Sequence, residues 1–217
     1  MIFPDFKNER LCLARGYDYV IGCDEAGRGS LAGPVVAAVC VLDPKSIGPN
    51  RTPDKWYSRV RDSKAIPEGE REILAKIIKG NAIAWGVGTV SEREIDEINI
   101  HNASLLAMRK AVENMFSKPG RNKISRSQNF VILVDGRFEI PDIECGQKCI
   151  IKGDTKSLSI AAASIIAKVH RDAIMKKLGR QFPKYGFERH KGYPTLEHRK
   201  AIQKLGITKV HRKSFLK

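Results

Sequence analysis

Apolar and polar positions fall into alternating blocks along the chain. "DYVIGCDEA" (18–26) reads as a strand, and "GPVVAAVCVL" (33–42) as a second that is apolar on both faces. The short glycine-containing link between them suggests an antiparallel hairpin. A Pro-, Gly- and charge-rich stretch (43–64) follows as a surface loop. "PEGEREILAKIIKG" opens with Pro67, carries acids in its first turn and ends at Gly80, which is the punctuation of a helix. A third strand is expected over 82–90, then a short helix whose capping box is Ser91 with Glu94.

Helical spacing of Leu105, Met108, Val112 and Met115 predicts a helix over 102–116, followed by a basic loop. "FVILVDG" (130–136) reads as a buried strand and "KCIIKGD" (148–154) as another short one. A long helix is expected over 157–182, small and apolar in its middle. The tail gives a basic loop and a helix near 195–205. Strands alternating with helices make the class α/β. Two regions are expected, a catalytic core over 1–183 and a C-terminal loop and helix over 184–217, packed as one unit.

The polar residues that break this pattern carry the chemistry. Asp24 and Glu25 stand together at the end of an apolar run, and Gly27-Arg28-Gly29 follows at once. Such a pair makes sense if the acids hold something. Asp135 closes another buried strand, and ligands bind at strand ends in sheets of this kind; the plain alternative is a turn Asp before Gly136. Ser164, Lys168 and Asp172 recur at i, i+4 and i+8 and share one helix face; the plain alternative there is an exposed polar stripe. Carboxylates from separate elements suggest a hard divalent cation with oxygen ligands, Mg²⁺ or Mn²⁺. Two such ions can activate water and steady a leaving oxygen in phosphodiester hydrolysis. Glycines at 27 and 29 let backbone approach a ligand closely.

Charge adds a partner. Lys and Arg number 39 against 24 Asp and Glu, a net +15, which points to a polyanion, nucleic acid first. The five cysteines lack a second Cys/His pair at zinc-finger spacing. "GRGSLAG" opens onto a strand and "GDTKS" lacks the glycines of a P-loop, so neither is a nucleotide fingerprint. The N-terminus has no signal-peptide order and no apolar run reaches membrane length, so a cytoplasmic protein that does not engage membranes is expected.

Taken together the motifs resemble bacterial ribonuclease HII, the type 2 ribonuclease H. The blocks are "DEAGRGSLAGPVVAA" (24–38), "DSK" (62–64), "EIDEINIHNASLLAM" (94–108), "ILVDG" (132–136), "KGD" (152–154), "SIAAASIIAKVHRD" (159–172), "HKGYPT" (190–195) and "HRKSF" (211–215), in the family's order. The resemblance implies a ribonuclease H-like fold: a mixed five-stranded sheet flanked by helices, with a C-terminal helical extension. It implies endonucleolytic cleavage of RNA in RNA/DNA hybrids, and incision 5′ of single ribonucleotides in duplex DNA, leaving 3′-hydroxyl and 5′-phosphate ends. By the same resemblance Asp24, Glu25, Asp135 and Asp172 are the metal-binding catalytic acids. Gly27, Arg28 and Gly29 sense the 2′-hydroxyl, Tyr193 packs on the following deoxyribose, and Lys64, Ser164 and Lys168 lie near the substrate backbone. A monomer acting with two divalent ions in ribonucleotide removal is implied. Ala65 and Pro194 depart from the family's usual residues.

Two rivals explain less. A DNA-directed nuclease of the same fold needs similar acids but no ribose reader. A non-catalytic RNA-binding protein accounts for the charge but not for the dispersed acids.

Overall fold

The computed structural model describes residues 3–48, 52–117 and 124–216. Five strands form one mixed sheet in the order β3-β2-β1-β4-β5. They are β1 (Tyr19–Ala26), β2 (Val35–Leu42), β3 (Ala82–Val90), β4 (Phe130–Asp135) and β5 (Gly146–Ile150). The β1–β2 hairpin is antiparallel, as is β2–β3, whereas β4 lies parallel to β1 and β5 parallel to β4.

Both faces of the sheet are covered, which is why β2 is buried along its whole length. On one face Ile21, Cys23, Ala37 and Val39 pack with Ala107, Ala111 and Met115 of α3 (Glu92–Phe116). On the other, Ala38 and Cys40 meet Ala161, Ala162 and Ile165 of α4 (Leu158–Gln181). The small residues in the middle of α4 let it press close to β1. A Cβ on Gly22 would run into the α4 backbone at Ser159 and Ile160.

The expected elements sit where the pattern put them, with instructive exceptions. α2 (Glu68–Asn81) begins after Pro67 as expected. The Ser91–Glu94 capping box is present. The short helix and the longer helix after it run on as α3 but are divided at Asn99, a non-helical residue with φ 64°. Asn99 Oδ1 accepts from the His101 and Asn102 N–H groups and restarts the helix.

The strand expected over 148–154 is instead Gly146–Ile150. Lys152 takes a left-handed conformation (φ 55°) and the chain turns away before Gly153–Thr155. The charged stretch 43–64 holds two single-turn helices, Trp56–Arg59 and Ser63–Ala65, with residues 49–51 outside the described residues. Part of the basic loop after α3, 118–123, also lies outside them.

Pattern alone did not reveal α1 (Lys7–Leu13). It is docked through Glu9, whose buried carboxylate accepts from Ser157 Oγ and Ser159 N–H at the start of α4. After α4 come α5 (Phe187–His190) and α6 (Leu196–Leu205), and the final segment returns to the core through an Ala32–His211 bridge. No helix among the described residues is long and apolar enough to cross a membrane.

Candidate active site

The sheet brings the acids together. β1 and β4 are parallel with Cys23 opposite Val134, so Asp24 and Asp135 leave the same end of adjacent strands. Asp24, Glu25 and Asp135 line one cleft of about 240 Å³. Its other walls are Ala26, Gly27, Arg28 and Gly29 from the turn after β1, Ser63 and Lys64, Asp154, Ser164 and Lys168 of α4, and Tyr193. Ten residues named from the sequence thus share one cavity.

Asp172 is the exception. Its carboxylate is nearly buried and both oxygens are engaged, Oδ1 by Lys168 Nζ at 2.6 Å and Oδ2 by Arg71 Nη2 at 3.3 Å. It does not line the cleft. The i, i+4, i+8 stripe is real, but its last member is consumed by an ion pair that reaches in from α2. Asp154 lines the cleft instead. It was missed because "KGD" read as the end of a strand. The signal was present: an acid beside a glycine, just past a strand parallel to the one that ends in Asp135.

The acids are held in an electrostatically costly state. Burial drives the Asp24 carboxyl well above its usual range, Glu25 and Asp135 push it further, and the Glu25 N–H and the Ser164 hydroxyl partly offset this. Burial raises Glu25 to about 7, against the opposing guanidinium of Arg28 at 3.6 Å. Asp135 is raised by burial, although Gly153 N–H donates to its Oδ1 at 2.6 Å. Burial and then Asp135 raise Asp154. Burial is the largest cause at all four carboxyls, and it outweighs the cations Arg28 and Lys64 nearby.

The donor set fits a hard divalent cation. All of the acids offer oxygen, and no sulfur or imidazole lines the cleft. No group of three or more His, Cys, Asp or Glu among the described residues closes into a ready-made cage.

The glycine turn is shaped by its neighbours. Gly27 has φ 99°, and a Cβ there would collide with the Arg171 guanidinium. A Cβ on Gly29 would meet only open space, so its backbone is accessible to a ligand. Arg171 is fully buried and spends its donors on the carbonyls of Ala32, Pro34 and Lys191. Opposite the turn, the Tyr193 ring lies 5.7 Å from Lys168 Nζ and 5.5 Å from the Arg171 guanidinium carbon. These cations hold the ring at the cleft wall. Lys64 and Ser164 also face the cleft, and Ser164 Oγ is 2.9 Å from Ser63 Oγ.

The chain is similar to known proteins over nearly its whole length. The family model described as ribonuclease HII matches residues 21–217. The chain is 48% identical over 212 residues to ribonuclease HII of Clostridioides difficile, covering 98% of this chain and 74% of that one. It is 45% identical to ribonuclease HII of Caldicellulosiruptor bescii, covering 98% and 93%. Among solved structures it is similar to the ribonuclease H2 of Pyrococcus horikoshii, with a TM-score of 0.65, 26% identity, and coverage of 90% and 93%.

Proposed function

The chain belongs to the ribonuclease HII family of metal-dependent endoribonucleases, which hydrolyse RNA in RNA/DNA hybrids, and from that premise we propose how this site selects and cuts its substrate. It incises duplex DNA on the 5′ side of a single embedded ribonucleotide, leaving 3′-hydroxyl and 5′-phosphate ends, as well as cutting longer hybrids. It does so as a cytoplasmic monomer of one packed unit, in ribonucleotide removal. The observation that carries the reading is the cleft itself, which joins a carboxylate cluster to a glycine turn on one wall and an aromatic ring on the other.

Asp24, Glu25, Asp135 and Asp154 are the acids that would hold Mg²⁺ or Mn²⁺. When bound, a pair of such ions supplies a hydroxide nucleophile and neutralises the departing 3′-oxygen. Asp172 serves one step back, fixing Lys168 and Arg71. Lys64, Lys168 and Ser164 offer donors to substrate phosphates. Only the 2′-hydroxyl marks a lone ribonucleotide. Backbone groups of Gly27, Arg28 and Gly29 suit that reading, and at Gly29 no Cβ stands between the main chain and open space. The Arg28 carbonyl already accepts from Arg212 but keeps a second lone pair.

Tyr193 offers its ring to the next sugar, where a 2′-hydroxyl would crowd it. Tyr193→Phe keeps the ring and is expected to retain most activity on a duplex with one ribonucleotide. Tyr193→Ala is expected to lose on the order of a hundredfold in kcat/KM, the scale of misplacing a reacting group by about 1 Å. Single-turnover assays on both variants test this; equal, near-normal rates would remove Tyr193 from substrate recognition.

Protons compete with the cation for these acids. Burial raises the Glu25 carboxyl to about 7, so lowering the pH from about 8 to 6 returns a proton to it. The Mg²⁺ concentration for half-maximal cleavage should therefore rise, by about tenfold per coupled proton over that span. A half-saturation concentration that stays constant with pH would contradict the raised carboxyls.

A further inference from the structure

Behind Tyr193 lies a buried histidine array outside the catalytic cleft. His190, His198 and His211 are 8%, 0% and 2% exposed, around the ring of Phe187. Their hydrogen bonds fix every ring proton by elimination. The Thr208 N–H, which can only donate, points at His211 Nδ1 (2.9 Å), so that nitrogen accepts. The proton of a neutral His211 then sits on Nε2, which faces His198 Nε2 at 3.1 Å. His198 Nε2 must accept, which leaves His198 Nδ1–H to donate to the Tyr193 carbonyl (2.9 Å). Both ends of the chain demand the same direction. In the same way Gly192 N–H donates to His190 Nδ1, and His190 Nε2–H donates to the Tyr185 carbonyl. An extra proton on His211 or His198 would set two donors against each other. Burial lowers the proton affinity of both, His211 to about 4, which keeps these two rings neutral.

The residue after His211 reaches the other wall of the cleft. Arg212 is fully buried; its Nε donates to the Gly33 carbonyl and its Nη1 to the Arg28 carbonyl, both at 2.9 Å. Its backbone N–H donates to Leu31 O, and Leu31 N–H to Gly192 O. Two consecutive tail residues thus hold the turn that carries Arg28 and the loop that carries Tyr193.

We infer that His211 and Arg212 form one positioning clamp that sets the separation of the two substrate-reading walls, His211 acting through the His198 tautomer on Tyr193 and Arg212 acting directly on Arg28. This rests on the proposed reading of Tyr193 and the glycine turn. Neither residue needs to touch substrate. Tail and cleft are joined by directional bonds, so a change at His211 reaches the reacting groups as a shift in geometry.

The test pairs imidazole nitrogen NMR of the full-length protein at neutral pH with kinetics on a duplex containing one ribonucleotide. The wild type should show Nδ1–H on His198 and Nε2–H on His190 and His211. His211→Ala should lower kcat by about tenfold to a hundredfold with a much smaller change in KM. His211→Gln, whose amide can donate to His198 Nε2, should recover most of that loss. Arg212→Lys, which cannot fork between the two carbonyls, should lower kcat similarly. All rates are compared well below each variant's melting temperature. An Nε2–H His198 in the wild type would overturn the clamp, as would unchanged kcat in His211→Ala or equal kcat in the Ala and Gln variants. If Tyr193→Ala cuts normally, the junction reading fails, while the imidazole signals still report on the hydrogen-bond chain.

Discussion

Asp135→Asn is expected to abolish cleavage, by about 10³-fold or more, and at the same time to raise the melting temperature of the metal-free protein. The first effect follows from charge. Asn keeps the shape of Asp and can still accept from Gly153 N–H, so the turn that carries Asp154 survives. What is lost is one negative ligand facing a divalent ion, and about 4 kcal/mol of transition-state stabilisation corresponds to that rate loss. The second effect follows from the raised carboxyls. A carboxyl whose proton affinity is higher in the folded than in the unfolded chain adds stability only while protonated. That stability is present below the unfolded value and is lost as pH rises through the folded one. At neutral pH Asp24, Glu25, Asp135 and Asp154 therefore oppose folding, and neutralising one relieves the others. A gain of about 1 kcal/mol would lift Tm by roughly 2–4 °C in a chain of this size. Thermal melts in chelator and a cleavage assay read the two effects separately. An active variant, or one that melts lower without metal, would contradict the assignment.

Asp154→Asn and Asp172→Asn are expected to fail in opposite ways. Asp154 lines the cleft beside Asp135 and Lys64 and, among the described residues, forms no ion pair within it, so its replacement should cost on the order of a hundredfold or more in kcat with little change in fold. Asp172 is the anchor of Lys168 and Arg71. Its neutralisation leaves the buried Arg71 and the partly buried Lys168 short of charge, a loss of about 3 kcal/mol, which lowers Tm by on the order of 10 °C. Below that melting temperature it should keep measurable Mg²⁺-dependent cleavage. Metal titrations on the two variants separate them: half-saturation should shift far more for Asp154→Asn. The reverse pattern would restore Asp172 as a ligand and make Asp154 a bystander.

These two residues show where sequence stops informing. Asp24, Glu25 and Asp135 were legible because each sits at the end of an apolar run, and apolar runs locate buried strands without knowledge of their partners. The parallel register that joins them, with Cys23 opposite Val134, is non-local and could not be read from the pattern. Asp154 escaped because Ile150 and Ile151 continue the strand pattern, and only the left-handed Lys152 reveals the turn. Asp172 misled because helical spacing fixes which residues share a face, not who meets them. Arg71 lies 101 positions away. The docking of α1 through Glu9 and the histidine chain from Thr208 to Tyr193 are invisible for the same reason. Each is a hydrogen bond between distant segments, and no local periodicity encodes it.

The central claim is that the cleft reads a ribonucleotide and cuts beside it with a divalent cation. Two end-labelled duplexes identical but for one 2′-hydroxyl test it on a single gel, each incubated with Mg²⁺ and with chelator. One product is expected, cut 5′ of the ribonucleotide and bearing a 3′-hydroxyl, from the ribonucleotide duplex with Mg²⁺ alone. Cleavage of the all-DNA twin, or cleavage that persists in chelator, would contradict it.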